Sequence, residues 1–168
     1  MKDLKIVNNC YFYPNSCKVR VLVQRVKKAS VSIDGALHSS VGKGLLVFVG
    51  IEDADDAGDT SWLATKVANL RLFDDNNGVM NLSAIETGYE IMVVSQFTLH
   101  ASTRKGNRPS YIRAARPEKA IPLYEEFIAR LEALLGHAVR SGKFGAMMDV
   151  SLVNDGPVTI FIDSRNRE

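Results

Sequence analysis

Three stretches of this chain carry polar groups in patterns that suit chemistry. Ser95-Gln96-Phe97-Thr98-Leu99 follows the apolar run Ile91-Met92-Val93-Val94. Functional groups are often presented where a buried strand meets a loop, although an ordinary strand end with satisfied hydroxyls has the same pattern. Thr103-Arg104-Lys105-Gly106-Asn107-Arg108-Pro109-Ser110 alternates cations with hydroxyl and backbone-permissive residues. That composition suits a sugar-phosphate backbone, and equally a solvated loop. Asn154-Asp155-Gly156-Pro157-Val158-Thr159 places a proline between two strand-like runs. Proline removes a ladder donor, so the segment reads as a turn or as a cis peptide that fixes two carbonyls in a defined direction.

Other chemistries lack their residues. There is no G-x-x-x-x-G-K-[ST] phosphate loop, and Gly42-Lys43-Gly44 is more simply a turn. No G-x-S-x-G elbow is present. His38, His100 and His137 lie far apart, so no metal site or cofactor is expected. Thr98 and His100 would share a face of an extended strand, but no acid stands nearby in sequence to orient the imidazole. His100 therefore reads as a solvated loop histidine. Both cysteines, Cys10 and Cys17, fall in the first 18 residues, which argues against a disulfide scaffold or a core thiol nucleophile. A cytoplasmic protein is expected, since residues 1–18 also lack the apolar core of a signal peptide.

These groups must be positioned by a chain of 168 residues, 46% hydrophobic and 24% charged. That is a globular composition of single-domain size. The longest apolar run, Leu45–Gly50, is too short for a membrane-spanning helix. The net charge is only +2, yet His100–Ala120 holds six bases against Glu118. Such a local excess attracts phosphate. Alternating runs predict strands at Val19–Val26, Ala29–Ile33 and Ala36–Val41, the last two joined by an Asp34-Gly35 hairpin turn. Leu45–Ile51 and Glu90–Phe97 read as buried strands. Leu63, Val67 and Leu70 predict a helix over Ser61–Leu72, capped around Asp59-Thr60-Ser61. A second helix starts at Pro117 and ends at Gly136. Met148–Val153 and Val158–Ile162 read as two final strands. The expected fold is α+β, largely antiparallel, with helices on one side. Residues 1–18 read as an extension, or as the product of a start codon set too far upstream, before a domain at 19–168.

Taken together, the segments at Val19–Gly35, Ser95–Leu99, Lys105–Tyr111 and Lys143–Thr159 resemble the D-aminoacyl-tRNA deacylase family of bacteria and eukaryotes. The pairing of SQFTL with NDGPVT, at this separation, is highly specific. The resemblance implies hydrolysis of the ester between a D-amino acid, or glycine, and the 3′-terminal adenosine of tRNA. It implies a homodimer in which a cis Gly156-Pro157 of one subunit enters the active site of the other and excludes L-amino acids. Ser95, Gln96, Phe97 and Thr98 match the catalytic strand end. Phe144, Gly145, Ala146 and Met148 match the region that receives the adenine. Arg104, Lys105 and Arg108 are expected to meet the tRNA backbone. No residue is placed to activate Thr98, so water assisted by the ribose 2′-hydroxyl is favoured over a threonyl-acyl intermediate. A non-catalytic RNA-binding module on the same fold is the alternative.

Overall fold

The computed structural model describes residues 19–166 and is organised by β1 (Arg20–Ile33). This strand turns at Asp34-Gly35 into β2 (Ala36–Val41), with φ of 51° and 77° at the two turn residues. Two successive left-handed residues are what a two-residue hairpin needs. β3 (Gly44–Gly50) returns antiparallel to residues 20–26 of β1, while β2 pairs with residues 29–33. After the third strand come α1 (Ala57–Asn69), the small hairpin of β4 (Phe73–Asp74) and β5 (Met80–Leu82), and the one-turn α2 (Ala84–Thr87). β6 (Glu90–Ser95) lies parallel to β3 and leads into a 3-10 turn, Phe97–His100. α3 (Pro117–Leu135) follows the basic loop. β7 (Arg140–Ser141) pairs parallel to β6, and β8 (Asp149–Asp163) runs antiparallel along the remaining edge of β1. The result is a single α+β domain, with parallel pairs among the described residues only at β3–β6–β7.

Two apolar clusters lie on the two faces of the sheet. Val21, Val23, Leu45, Val47, Val49, Ile91 and Val93 meet the helices, where Leu63, Val67, Tyr124, Phe127 and Leu131 cover them. Val26, Val31, Leu46, Met92 and Val94 form the second cluster, among strand residues and Met148. β3 and β6 contribute to both, so they read as continuous apolar runs. β1 changes sides. Its register shifts around Val26, and the shift moves its buried set from odd positions at Val21 and Val23 through Val26 to Ala29 and Val31. A bulge reverses the phase of a period-two strand. This is why the sequence shows two separate alternations where the structure has one 14-residue strand.

Two further boundaries differ from expectation. α1 begins four residues before Ser61, because Asp56 accepts hydrogen bonds from the Gly58 and Asp59 N–H groups while Asp59 accepts from the Asp56 N–H. This reciprocal cap captures the acidic segment that otherwise reads as loop. Residues 154–157 do not separate two strands; they lie inside the 15-residue β8.

The Asp55 side chain is buried before this helix and accepts the Glu52 N–H at 2.7 Å. Burial pushes its carboxyl up to about 7, well above its ordinary value of 3.8. The folded state thus holds a proton that the unfolded chain releases, and stability from this group is lost as pH rises from about 4 through about 7. Asp55→Asn cannot titrate. Its stability relative to the unmutated protein is expected to rise across that pH window and level off above it, in urea unfolding at a series of pH values. A difference that stays flat would return Asp55 to the ordinary carboxylate range.

Candidate active site

The end of β6 is carried past the strand by one bond, Gln96 N–H to the Val49 carbonyl at 2.7 Å. The chain then tightens into the 3-10 turn, where Leu99 N–H reaches Gln96 O at 3.2 Å and Ala101 N–H reaches Thr98 O at 3.0 Å. Gly50 lies directly beneath. A Cβ there would stand 2.9 Å from the Gln96 carbonyl and 3.0 Å from the His100 ring. Glycine is needed here for close approach, since its φ is not in the left-handed region.

The turn is clamped from below by charge. His100 is only 1% exposed, and its Nδ1 lies 2.9 Å from Glu52 Oε1. The same oxygen receives Arg113 Nη2 at 2.5 Å. Burial holds the imidazole below the ordinary histidine range, against the opposite pulls of the Gly50 backbone and Glu52. From the other side Arg20 donates to the Leu99 carbonyl at 2.9 Å and pairs with Asp163 at 3.1 Å. The expectation of a solvated His100 is therefore corrected. It faces Glu52 in the core, and its partner stands 48 residues away in sequence.

Beside the turn is a cleft of ≈ 430 Å³, counted to its open mouth. Ser95, Gln96 and Phe97 line one side, and Phe144 and Gly145 the other, with Tyr124 of α3 behind. Tyr124 donates its hydroxyl to Val93 O at 2.9 Å and meets the Phe144 ring edge-on, 5.8 Å between centroids. Ala146 follows in a turn closed by its N–H on the Lys143 carbonyl. Met148 is not part of this lining. It packs with the second cluster on the opposite sheet face, close to Gly142, because the chain has crossed the sheet edge by then. Thr98 Oγ1 is 2.5 Å from Gln96 Nε2. A carboxamide holds the hydroxyl but has no basic atom to deprotonate it.

Arg104, Lys105 and Arg108 are exposed on a loop closed by paired Ser102–Ser110 bonds at 2.8 and 2.9 Å. Its far end is pinned beside the cleft by Ala115 N–H on the Ile51 carbonyl at 2.8 Å. Gly156-Pro157 lies elsewhere. The bond between them is cis, both residues are exposed, and φ at Gly156 is 125°. Asn154 spans the dipeptide, accepting from Val158 N–H at 3.0 Å and donating to Val158 O at 3.3 Å. Arg25, nearly buried in its strand, donates to the carbonyls of Asp155 at 3.2 Å and Leu72 at 2.6 Å. The segment is thus braced on both flanks. It sits beside Gln24–Val26 of β1, whereas the cleft lies beyond Val49, the partner of Val21. Three strand spacings of about 4.8 Å, and at least three residues of about 3.3 Å each, separate the two within one chain. Arg25, Glu52 and the bridging role of Asn154 were not foreseen; the partners of Arg25 and Glu52 lie too far off in sequence to signal them.

The family model described as D-Tyr-tRNA(Tyr) deacylase matches residues 22–163. D-aminoacyl-tRNA deacylases of Parabacteroides distasonis and Porphyromonas gingivalis are 62% and 63% identical over 150 residues, covering 89% of this chain and 100% of each relative. The chain belongs to the D-aminoacyl-tRNA deacylase family. Among solved structures, a c-Myc DNA unwinding element binding protein superposes with TM-score 0.80 at 38% identity, covering 85% of this chain and 97% of that one. A probable eukaryotic D-amino acid tRNA deacylase shares the fold, with TM-score 0.75 at 17% identity over 87% and 99% of the two chains.

In this deacylase the turn depends on the space left by Gly50. Gly50→Ala would push a methyl group against backbone and a buried ring. It is expected to cost about 1–3 kcal/mol of stability, as other overpacked sites do, and to lower ester hydrolysis by displacing Gln96. Urea unfolding and initial rates would show both, and an unperturbed protein would mean that the turn shifts without consequence.

Proposed function

We propose that this deacylase hydrolyses the ester between a D-amino acid, or glycine, and the 3′-terminal adenosine of tRNA, and rejects the L-aminoacyl ester. Family membership makes it a hydrolase of ester bonds. The observation that carries the mechanism is the absence of a base at Thr98, whose hydroxyl meets the Gln96 carboxamide while the nearby imidazole is turned to Glu52. The cleft between the turn and Phe144-Gly145 takes the adenosine. The first N–H groups of the 3-10 turn lack partners within it and can steady the ester oxyanion. Water attacks with help from the neighbouring ribose 2′-hydroxyl, and Thr98 positions the substrate. The loop of Arg104, Lys105 and Arg108 supplies phosphate contacts. Residues 19–168 form the working unit, and its substrate places it in the cytoplasm.

Thr98→Ala should keep measurable hydrolysis of D-aminoacyl-tRNA. A tRNA ending in 2′-deoxyadenosine and charged at the 3′ position should be slower by roughly 10² or more, the scale of a lost acid–base contribution. Abolition by Thr98→Ala with full activity on the deoxy ester would restore a threonine nucleophile. Binding of tRNA with no ester loss would favour the non-catalytic nucleic-acid module, which the name of the 38% identical structure keeps in view.

The chirality filter is Gly156-Pro157 supplied by a second copy. Support comes from its distance from the cleft in its own chain and its exposure on β8. That strand pairs only with β1 among the described residues, leaving a long outer edge. Backbone that occupies the space of an L side chain rejects by exclusion. A variant damaged in the filter, Gly156→Ala, strains a positive φ and brings Cβ to 2.8 Å of Val158. A variant damaged in the cleft, Phe144→Ala, loses the ring against Tyr124. Each alone should lose most activity. Subunit exchange between them should restore activity above either parent, because one site of the mixed dimer then has both intact parts. Mixtures no better than their parents would confine the site to one chain.

A further inference from the structure

The proposed function assigns the cleft to a nucleoside and the loop cations to phosphates, and it leaves Tyr111 at the cleft mouth without a role. Phe97 lines the cleft and is still 56% exposed. Tyr111, 40% exposed, meets it edge-to-face with ring centroids 5.1 Å apart and planes at 74°. Ile112, next in the chain, is 87% exposed. Neighbouring large apolar groups left in water mark a binding surface.

This surface is anchored. Ser110, just before Tyr111, is bonded to Ser102 in both directions, and the Tyr111 carbonyl accepts the Ala114 N–H at 3.0 Å. Two residues on, Arg113 is tied to Glu52. The platform is therefore held at a fixed place beside the turn. Its loop is cationic, with Arg104, Lys105 and Arg108 exposed while Arg113 is paired with Glu52. Exposed rings within a positive field are the features that hold unpaired nucleotides, because every base has a face to stack and every linkage a phosphate. Phe97 belongs to both the cleft and the platform, so Tyr111 adjoins the mouth of the cleft.

We propose that Tyr111, backed by Phe97, is the stacking platform for the base of the unpaired nucleotide that immediately precedes the terminal adenosine. This rests on the tRNA-ester reading above. The test compares kcat/KM for D-aminoacyl-tRNA with kcat/KM for the D-aminoacyl ester of adenosine alone. Tyr111→Ala should lower the ratio of the first to the second by roughly 5- to 150-fold, the range for losing one base–aromatic stack, and Tyr111→Phe should restore it. A tRNA with an abasic nucleotide in the preceding position should lower the ratio equally in the unmutated enzyme. It should lower the Tyr111→Ala ratio no further, since both changes remove the same contact. A ratio unmoved by Tyr111→Ala, or two effects that multiply, overturns the platform while the deacylase reading stands. Failure of the unmutated enzyme on both esters overturns that reading and the platform with it.

Discussion

β1 has no free edge, and the rest of the molecule is arranged around that constraint. β8 occupies one side for almost its whole length, while β3 and then β2 share the other. β6, which leads into the 3-10 turn, attaches beyond β3, and the braced dipeptide lies within β8. The two functional segments are thereby held on opposite flanks of a twisted sheet. Within one chain the sheet order sets the cleft and the dipeptide apart, which is what the proposed two-chain site requires.

The cleft side depends on a smaller device. Glu52 stands just past β3, His100 closes the turn after β6, and Arg113 leads out of the basic loop. One carboxylate oxygen thus ties together the end of β3, the turn after β6 and the basic loop. An exposed ion pair would contribute little, but here the histidine is buried and its donor would otherwise lack a partner. His100 thereby fixes the turn to the end of β3.

Local chemistry was legible in the sequence where one segment contains its own cause. Asp34-Gly35 specifies its hairpin, Gly136 the end of α3, and the doubly apolar β3 and β6 their central places. The motifs at Ser95–Thr98 and Asn154–Thr159 marked both halves of the proposed site. What was not legible depends on partners distant in sequence. Continuity of β8 through Pro157 requires an edge position where the missing N–H faces no neighbouring strand. Continuity of β1 requires a bulge that only pairing reveals. The burial of His100 requires Glu52, and the bracing of the dipeptide requires Arg25 to reach Leu72 and Asp155. Met148, four residues past Phe144, packs with the second cluster through contacts that its own segment does not reveal.

The distribution of structural effort fits an ester that is already activated. Strong nucleophiles are assembled from buried, mutually oriented acids and bases, and this turn has none aimed at Thr98. What is buried and rigid instead is the support: Gly50 under the turn, the Glu52 clamp, and Arg25 with Asn154 around the dipeptide. For such a substrate the difficult task is refusal of the abundant L ester, which differs only in where one substituent points. Attraction discriminates poorly between mirror-related groups that make similar contacts. Exclusion by backbone that cannot yield discriminates well, provided the backbone is held from both sides. The same logic explains why small residues stand at the proposed points of closest approach, Gly145 in the cleft and Gly156 in the filter. Both positions also take a positive φ, 75° at Gly145 and 125° at Gly156, which strains any side chain.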